Sequence, residues 1–211
     1  MPAEPAYPVN LLVAGKRCLV VGGGAVAAQK ARGLAEAGAE VHVVAPHVDE
    51  AVRAVPGVTW QERGYDRDDL SGCALVIAAT GDSFVNRQVF EDAEARGIWI
   101  NAADDPANCT FTVPARVRQG DLLVTVSTSG RSPAVASWLR RRIEAELGPE
   151  FAKLLDLVAT EREQMLREGR STEAVDWQNA IDSGMLLELI REGRIAEAKE
   201  RLQACLSSSS G

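Results

Sequence analysis

The sequence predicts an α/β protein: a Rossmann-type parallel sheet, followed by a small α+β segment and a helical carboxy-terminal domain. Three observations carry this. From Lys16 to Asp105, short β-branched runs alternate with longer amphipathic stretches, the rhythm of parallel strands joined by crossover helices. Three glycines, Gly22-Gly23-Gly24, stand between the first such run and the first amphipathic stretch. After Asn108 the rhythm changes to two extended segments and then to helix. The expected domains are 1–112 for the Rossmann-type part, 113–148 for a hairpin plus helix, and 149–211 for the helical part with a flexible tail.

In chain order, Arg17 to Val21 reads as a buried strand, and Ala25 to Ala37 as a helix stopped by Gly38, a residue suited to a helix C-terminus. Glu40 to Val44 is the second strand and Val58 to Gln61 the third. Ala74 to Ala79 is apolar on both faces and therefore central. Phe84 to Arg96 is a helix ended by Gly97, Ile98 to Asn101 returns to the sheet, and Pro106 bars immediate helix in the loop after it. Thr110 to Arg118 and Leu122 to Ser127 form a hairpin about Gln119-Gly120-Asp121. Pro133 to Leu147 is a helix broken by Gly148-Pro149. From Glu150 to about Leu206 the apolar spacing is helical throughout, no internal repeat is read, and Ser207 to Gly211 is a flexible tail.

Composition narrows the function classes. With 46% hydrophobic, 25% charged and 5% aromatic residues in 211, the chain fits a soluble globular protein with one sizeable core and a smaller appendage. No apolar run reaches membrane-span length, and Met1-Pro2-Ala3-Glu4 lacks the features of a secretory signal, so the expected location is the cytoplasm. A net charge of −7 argues against a nucleic-acid partner. Cys18, Cys73, Cys109 and Cys205 are scattered and only His42 and His47 add imidazoles, so no preformed metal site is expected and all four thiols are read as reduced.

The pattern Gly22-x-Gly24-x-x-Ala27 follows a strand and opens a helix, the context in which it signals dinucleotide binding. The first small residue permits a tight turn, the second lets a pyrophosphate approach the backbone, and the third lets helix and strand pack closely. The helix N-terminus then offers N–H groups to the phosphates. The acid that usually ends the second strand is missing, because Val44 runs into Ala45-Pro46-His47. His47 reads either as a contact to the adenosine end or as a solvated loop residue, and His42 as a strand residue that is packed or partly exposed. Asp49 and Glu50 come late for the ribose and read as helix caps.

Other strand ends offer further candidates. Thr80-Gly81 suits a cofactor wall beyond the fourth strand and equally a helix cap. Asp104 lies at the carboxyl end of the last Rossmann-type strand, where a carboxylate can take a proton as hydride leaves or ligate a metal; the other reading is a polar turn, which is also the reading of Asp105. Ser127, Thr128, Ser129, Gly130 and Arg131 form a hydroxyl-rich, cationic turn that suits carboxylates, with Ser132 as a cap before Pro133. Arg140, Arg141 and Arg142 are splayed around a helix.

Taken together, these residues resemble a known family: the precorrin-2 dehydrogenase and sirohydrochlorin ferrochelatase proteins of siroheme synthesis, including the amino-terminal portion of siroheme synthase. The matching features run in order. They are Tyr7-Pro8 with Leu11, Val20 to Ala27 followed by Lys30-Ala31-Arg32, Ala37-Gly38-Ala39, Val43-Val44-Ala45-Pro46 and Ile77 to Thr80. Asn86, Asn101 with Asp104, Phe111 with Pro114, and Ser127 to Pro133 complete them. The likeness covers about residues 7 to 147.

The resemblance implies an NAD-dependent oxidation of precorrin-2 to sirohydrochlorin, with insertion of ferrous iron in some relatives. It implies Asp104 as general base and as proton acceptor or metal guide. Gly22, Gly23, Gly24, Ala25 and Val26 correspond to the pyrophosphate turn, and Pro46 and His47 to the adenosine-side loop. It implies Asn101 and Ser127 to Arg131 as substrate contacts, with Arg116 and Arg118 as further cations. It also implies a homodimer through roughly Val113 to Leu147, with the cleft between that segment and the nucleotide domain. One departure stands out: Thr128-Ser129-Gly130 replaces a second serine followed by paired glycines. Two alternatives stay open on the residues alone, a non-catalytic NAD-sensing domain and a dehydrogenase of another polyanion.

Overall fold

The computed structural model describes residues 6–173, 175–183 and 185–208. The chain divides into two compact units, Pro2–Val113 and, apart from Met1, Pro114–Gly211.

The first unit is built on a five-stranded sheet in the order β3-β2-β1-β4-β5, with every pairing parallel. Its strands are β1 (Arg17–Val21), β2 (Glu40–Ala45), β3 (Thr59–Glu62), β4 (Leu75–Ala78) and β5 (Trp99–Ala102). They are connected through helices α1 (Ala25–Glu36), α2 (Glu50–Arg53) and α3 (Ser83–Glu94), with a short 3₁₀ turn at Arg67–Leu70. Side chains alternate across a strand, so β1 feeds two cores. Cys18 and Val20 pack with Ala27, Ala28 and Ala31 of α1. Leu19 and Val21 pack with Val76, Ile100, and Val89 and Ala93 of α3. Small residues on α1 let it lie close to the sheet.

Chain order runs outward from β1 through β2 to β3, then returns to β4 and β5 on the other side. The direction therefore reverses between β1 and β4, and ligands of open α/β sheets bind at the carboxyl edge beside such a reversal.

The second unit begins with an antiparallel hairpin of β6 (Ala115–Gln119) and β7 (Leu122–Val126). Gly120 takes φ +58 in the two-residue turn, as a type II′ hairpin requires at its first central position. Helix α4 (Pro133–Glu146) follows, with Pro133 in its first turn and Ser132 Oγ accepting from Val135 N–H at 3.3 Å. Helices α5 (Glu150–Arg167), α6 (Trp177–Ser183), α7 (Leu186–Arg191) and α8 (Ile195–Ser208) enclose a core that includes Leu157, Met165, Leu186, Leu189, Ile190 and Leu202. Glu161 is buried in this unit, and both its oxygens accept from Gln203 Nε2, at 3.1 and 3.0 Å, with Lys199 Nζ 3.5 Å away.

Several expectations need correction. The region after Glu150 is not helical throughout: α5 stops at Arg167 and α7 at Arg191. Gly169 and Gly193 take φ +71 and +77 there. In both cases the glycine N–H and the following N–H turn back onto the last helical carbonyls, which ends a helix firmly. Ser207 and Ser208 belong to α8 rather than to a flexible tail; residues 209–211 of that tail lie outside the described residues. Thr110 to Pro114 is not strand, because Thr110 N–H and Phe111 N–H donate to Ile100 O and hold this run against β5. Pro106 begins a short 3₁₀ turn, Pro106–Asn108, instead of excluding helix.

Candidate functional site

The glycine turn sits at the carboxyl end of β1, and its three glycines face different surroundings. Gly22 has φ +127, and a Cβ added there falls 2.3 Å from Ala79 O, so β1 and the end of β4 approach each other only because no side chain intervenes. A Cβ on Gly23 falls 1.9 Å from His47 O. Gly24 meets nothing closer than Asp49 Oδ2, at 3.9 Å, so packing does not demand a glycine there. That open corner is the space a pyrophosphate needs. Ala27 is fully buried against the sheet, as the third small position requires.

Gly24 is the N-cap of α1 without a side-chain cap, and the first turn carries no acid. The first helical bond is Ala28 N–H to Gly24 O at 3.0 Å. The N–H groups of Ala25, Val26 and Ala27 therefore have no partner within the helix, and they carry its partial positive charge. Ala25 and Val26 are exposed, so the donors of this turn open toward solvent. The residues present thus fit a dinucleotide phosphate.

On the β2 side, Pro46 and His47 are exposed. His47 Nε2 lies 3.4 Å from Asp49 Oδ1, and Nδ1 lies 3.8 Å from Glu62 Oε1. Glu62 is held by Val48 N–H at 3.1 Å and Arg53 Nη2 at 2.7 Å, and these contacts keep its carboxyl below the usual range, the backbone hydrogen bond contributing most. Asp49 occupies the N-cap of α2, but its side chain makes no capping bond. The expected cap is therefore a matter of backbone position only. His42 is partly exposed, with Nδ1 2.9 Å from Thr59 Oγ1.

Beyond β4, Thr80 is clasped by Asn86, a buried residue of α3. Asn86 Oδ1 accepts from Thr80 N–H at 3.2 Å and lies 2.8 Å from Thr80 Oγ1, while Asn86 Nδ2 donates to Thr80 O at 3.1 Å. The cap of α3 is not Thr80 but Asp82, whose Oδ1 accepts from Phe84 N–H at 2.8 Å. Thr80 is thus a fixed piece of wall at the strand end beside Gly22.

Asp104 lies two residues past the end of β5, on the same carboxyl edge as the glycine turn. It is exposed and has φ +61, in a turn where Asp105 N–H approaches Ala102 O at 3.4 Å. Aspartate tolerates this left-handed backbone better than most residues. Cys109 braces the turn: its thiol stands 3.3 Å from both Ala102 O and Asp105 O and accepts from Ala102 N–H at 3.2 Å. Burial pushes this thiol above its ordinary pKa, so it remains a protonated strut. Asn101 is buried, and its Nδ2 donates to Phe111 O at 3.0 Å. It therefore ties the 109–111 segment to β5. Asp105 Oδ2 accepts from Asn108 Nδ2 at 2.5 Å, in keeping with a structural turn. Among the described residues no group of three or more His, Cys, Asp or Glu is placed to hold a metal ion.

In the second unit, β7 leads into a turn closed by Arg131 N–H to Thr128 O at 3.0 Å. Ser129 and Gly130 have φ +51 and +74, so both central residues are left-handed, as in a type I′ turn. Thr128 Oγ1 accepts from Ser132 N–H at 3.2 Å, and Ser127 Oγ accepts from Ser129 N–H at 3.3 Å. Ser127, Ser129, Gly130 and Arg131 are exposed, as are Arg116 and Arg118 on one face of β6. Of the three consecutive arginines, Arg140 pairs with Glu144 at 2.5 Å, and the Arg142 guanidinium stands over the Trp138 ring, 5.4 Å from its centre.

Sequence reasoning passed over the bracing role of Cys109, whose signal is a lone thiol five residues beyond the candidate acid. It also set aside Asp49, which reaches the glycine turn only through folding.

Comparison with known proteins agrees with this geometry. Residues 9–115 match the family model described as "Putative NAD(P)-binding", and residues 119–146 match that of the sirohaem biosynthesis protein central domain. The siroheme synthase of Nitrosococcus oceani is 37% identical over 204 residues, which cover 94% of this chain and 43% of that protein. The siroheme synthase of Pseudomonas entomophila is 40% identical over 200 residues, covering 92% and 43%. The chain thus spans less than half the length of these relatives. A solved structure, "SirC, precorrin-2 dehydrogenase", shares the fold with a TM-score of 0.69 at 23% identity, over 95% of this chain and 98% of that one. Among the described residues no helix is long and apolar enough to cross a membrane. By the matched models and relatives, the chain belongs to the family of the siroheme synthase amino-terminal region, in which an NAD(P)-binding domain is joined to the sirohaem biosynthesis central domain.

Proposed function

We propose that the chain is an NAD-dependent dehydrogenase that oxidises precorrin-2 to sirohydrochlorin in siroheme biosynthesis, acting in the cytoplasm as a homodimer. One observation carries the reading: the exposed Asp104 carboxylate, in a left-handed turn, shares the carboxyl edge of the sheet with the glycine turn. A domain that only held a nucleotide has no use for an uncommon backbone conformation that displays an acid. The relatives' names, siroheme synthase and precorrin-2 dehydrogenase, support the substrate class. Four free cysteines suit a reducing compartment.

NAD, when bound, supplies a hydride acceptor. The chain supplies the rest. The N–H groups of Ala25, Val26 and Ala27 hold the pyrophosphate, with Gly24 leaving room for it, while Pro46 and His47 flank the adenosine and Thr80 forms a wall. Asp104 takes the proton that the macrocycle loses as its hydride leaves, so the two-electron oxidation yields NADH and one proton. Ser127, Thr128, Ser129, Gly130 and Arg131, with Arg116 and Arg118, bind the carboxylates of the macrocycle. Where ferrous iron is a substrate, its entry displaces two N–H protons of the macrocycle, of which the same carboxylate accepts one and solvent takes the other.

The test is direct. Purified protein is mixed anaerobically with NAD and precorrin-2, and the absorbance of NADH and sirohydrochlorin is followed. Turnover is expected, with a loss of about 100-fold or more in Asp104→Asn at unchanged thermal unfolding. Full activity in that variant removes Asp104 from the mechanism. NAD binding without turnover favours the sensing domain, and turnover of a different polyanion alone reassigns the substrate. Ferrous or cobaltous ion added to sirohydrochlorin tests chelation; a rate equal to the protein-free one removes the second activity.

A further inference from the structure

We infer, on the reading that the macrocycle reacts beside Asp104, that Lys30 of α1 binds one of its carboxylates through the side-chain ammonium. A polyanion approaching this edge meets the carboxylates of Asp104 and Asp105 as like charges, so a cation close to them is needed to seat it.

Helix α1 buries Ala27, Ala28 and Ala31 against the sheet. Lys30 stands three residues after Ala27 and next to Ala31, so it borders that buried face, and it is itself half-buried. Phe111 packs against the core those alanines help to form, which brings the segment after the Asp104 turn up to the same layer. A helical side chain leans toward the helix N-terminus, and α1 begins just past the carboxyl end of β1. The long stem of Lys30 therefore carries its ammonium back toward the edge that displays Asp104. Electrostatics agree with this placement: burial raises the Cys109 thiol, and the Lys30 charge pulls it the other way. Cys109 is the residue that braces the Asp104 turn, through Ala102 and Asp105.

The ammonium is uncommitted. Among the described residues the Lys30 side chain forms no hydrogen bond or ion pair. A half-buried ammonium without a counter-ion is unfavourable, and an arriving carboxylate relieves that cost. Asp105 does not fill the role, since its Oδ2 is taken by Asn108 Nδ2 at 2.5 Å. The arginines of the first unit are engaged elsewhere: Arg53 with Glu62, Arg63 with Asp69, Arg67 with Asp92, Arg87 with Glu91 and Arg96 with Asp68. Lys16 and Arg17 stand at the amino end of β1, the opposite edge of the sheet. Arg32 is exposed, two residues beyond Lys30 and so on the far side of α1. Phosphates are served by the N–H groups of the first turn, which leaves the ammonium of the second turn to an anion on the substrate.

Binding and turnover are measured side by side on the full chain. Sirohydrochlorin is titrated anaerobically and its absorbance followed, NAD is titrated separately by calorimetry, and oxidation of precorrin-2 is timed. Lys30→Met, which keeps the length and removes the charge, should weaken sirohydrochlorin about tenfold or more and raise KM for precorrin-2 by a similar factor. Its kcat should stay within about threefold and its affinity for NAD should not change. Lys30→Arg, which keeps the charge, should bind sirohydrochlorin within about threefold of the wild type. Added salt should weaken the wild type more than Lys30→Met. Lys30→Gln repeats the measurement if Lys30→Met unfolds. Equal sirohydrochlorin affinity in the neutral variant and the wild type overturns the inference and leaves the dehydrogenase reading standing. So does a loss of NAD affinity, which assigns the ammonium to the phosphates, or an equal loss in Lys30→Arg with a lower unfolding temperature, which makes the residue structural. A wild type that neither binds sirohydrochlorin nor oxidises precorrin-2 overturns the reading itself, and the role of Lys30 with it.

Discussion

The backbone carbonyl of His47 occupies the space where position 23 would carry a side chain: a Cβ built on Gly23 falls 1.9 Å from that oxygen, whereas one on Gly24 stays 3.9 Å from its nearest neighbour. Adjacent glycines therefore serve different ends. Gly23→Ala should destabilise the fold by about 3 kcal/mol, because either the turn or the His47 loop must move. Gly24→Ala should change stability by less than about 1 kcal/mol and still weaken NAD binding about tenfold or more, since its methyl fills the phosphate corner. Thermal melts and nucleotide titrations of the two variants check both halves.

Ser129 has φ +51 without being glycine. A side chain in that conformation costs about 1 kcal/mol. Ser129→Gly should therefore raise stability by about that amount, read as a higher denaturation midpoint at unchanged slope. A midpoint equal to or below that of the wild type contradicts the turn geometry described for Thr128–Arg131.

Alkaline pH tests the first core. Burial, with the Cys73 thiol adding to it, pushes Cys18 up to about 11. The folded chain keeps this proton at a pH where the unfolded chain, with a thiol near about 8.5, has released it. The stabilisation is complete below that lower value and declines as pH rises toward the upper one, by on the order of 2 kcal/mol. Cys18→Ala should start less stable and lose less between about pH 9 and about pH 10.5. A residual slope is expected from Cys73, which burial also raises. Denaturant unfolding across that range is the measurement.

The homodimer reading makes a prediction of its own. On α4, Val135 is 47% and Trp138 50% exposed, large apolar groups within the segment assigned to self-association. Trp138→Glu should shift the protein to a monomer in sedimentation equilibrium at micromolar concentration. A wild-type monomer at the same concentration ends that reading.

The central strands were legible because β1, β4 and most of β2 are buried on both faces and read as unbroken apolar runs. β3 was placed one residue early, as an exposed edge strand leaves little pattern. The glycine turn and the Asp104 strand end were legible too, since each lies within a few residues of a strong strand. Asp49 was not: four residues of α2 carry no periodicity, and its approach to Gly24 is a product of packing. The helical breaks were missed because apolar spacing continues across them. Their signal is local, the tetrapeptide Arg-Glu-Gly-Arg at 167–170 and again at 191–194, too short a repetition to stand out as a repeat.

The near contact of Gly22 with Ala79 has a mechanical consequence. The lip of β1 and the lip of β4 are pressed together, and the Asn86 amide pins the second of them to α3. Any strain introduced at one lip is handed to the other without a compliant joint between them. A nucleotide arriving at this edge meets a stiff seat.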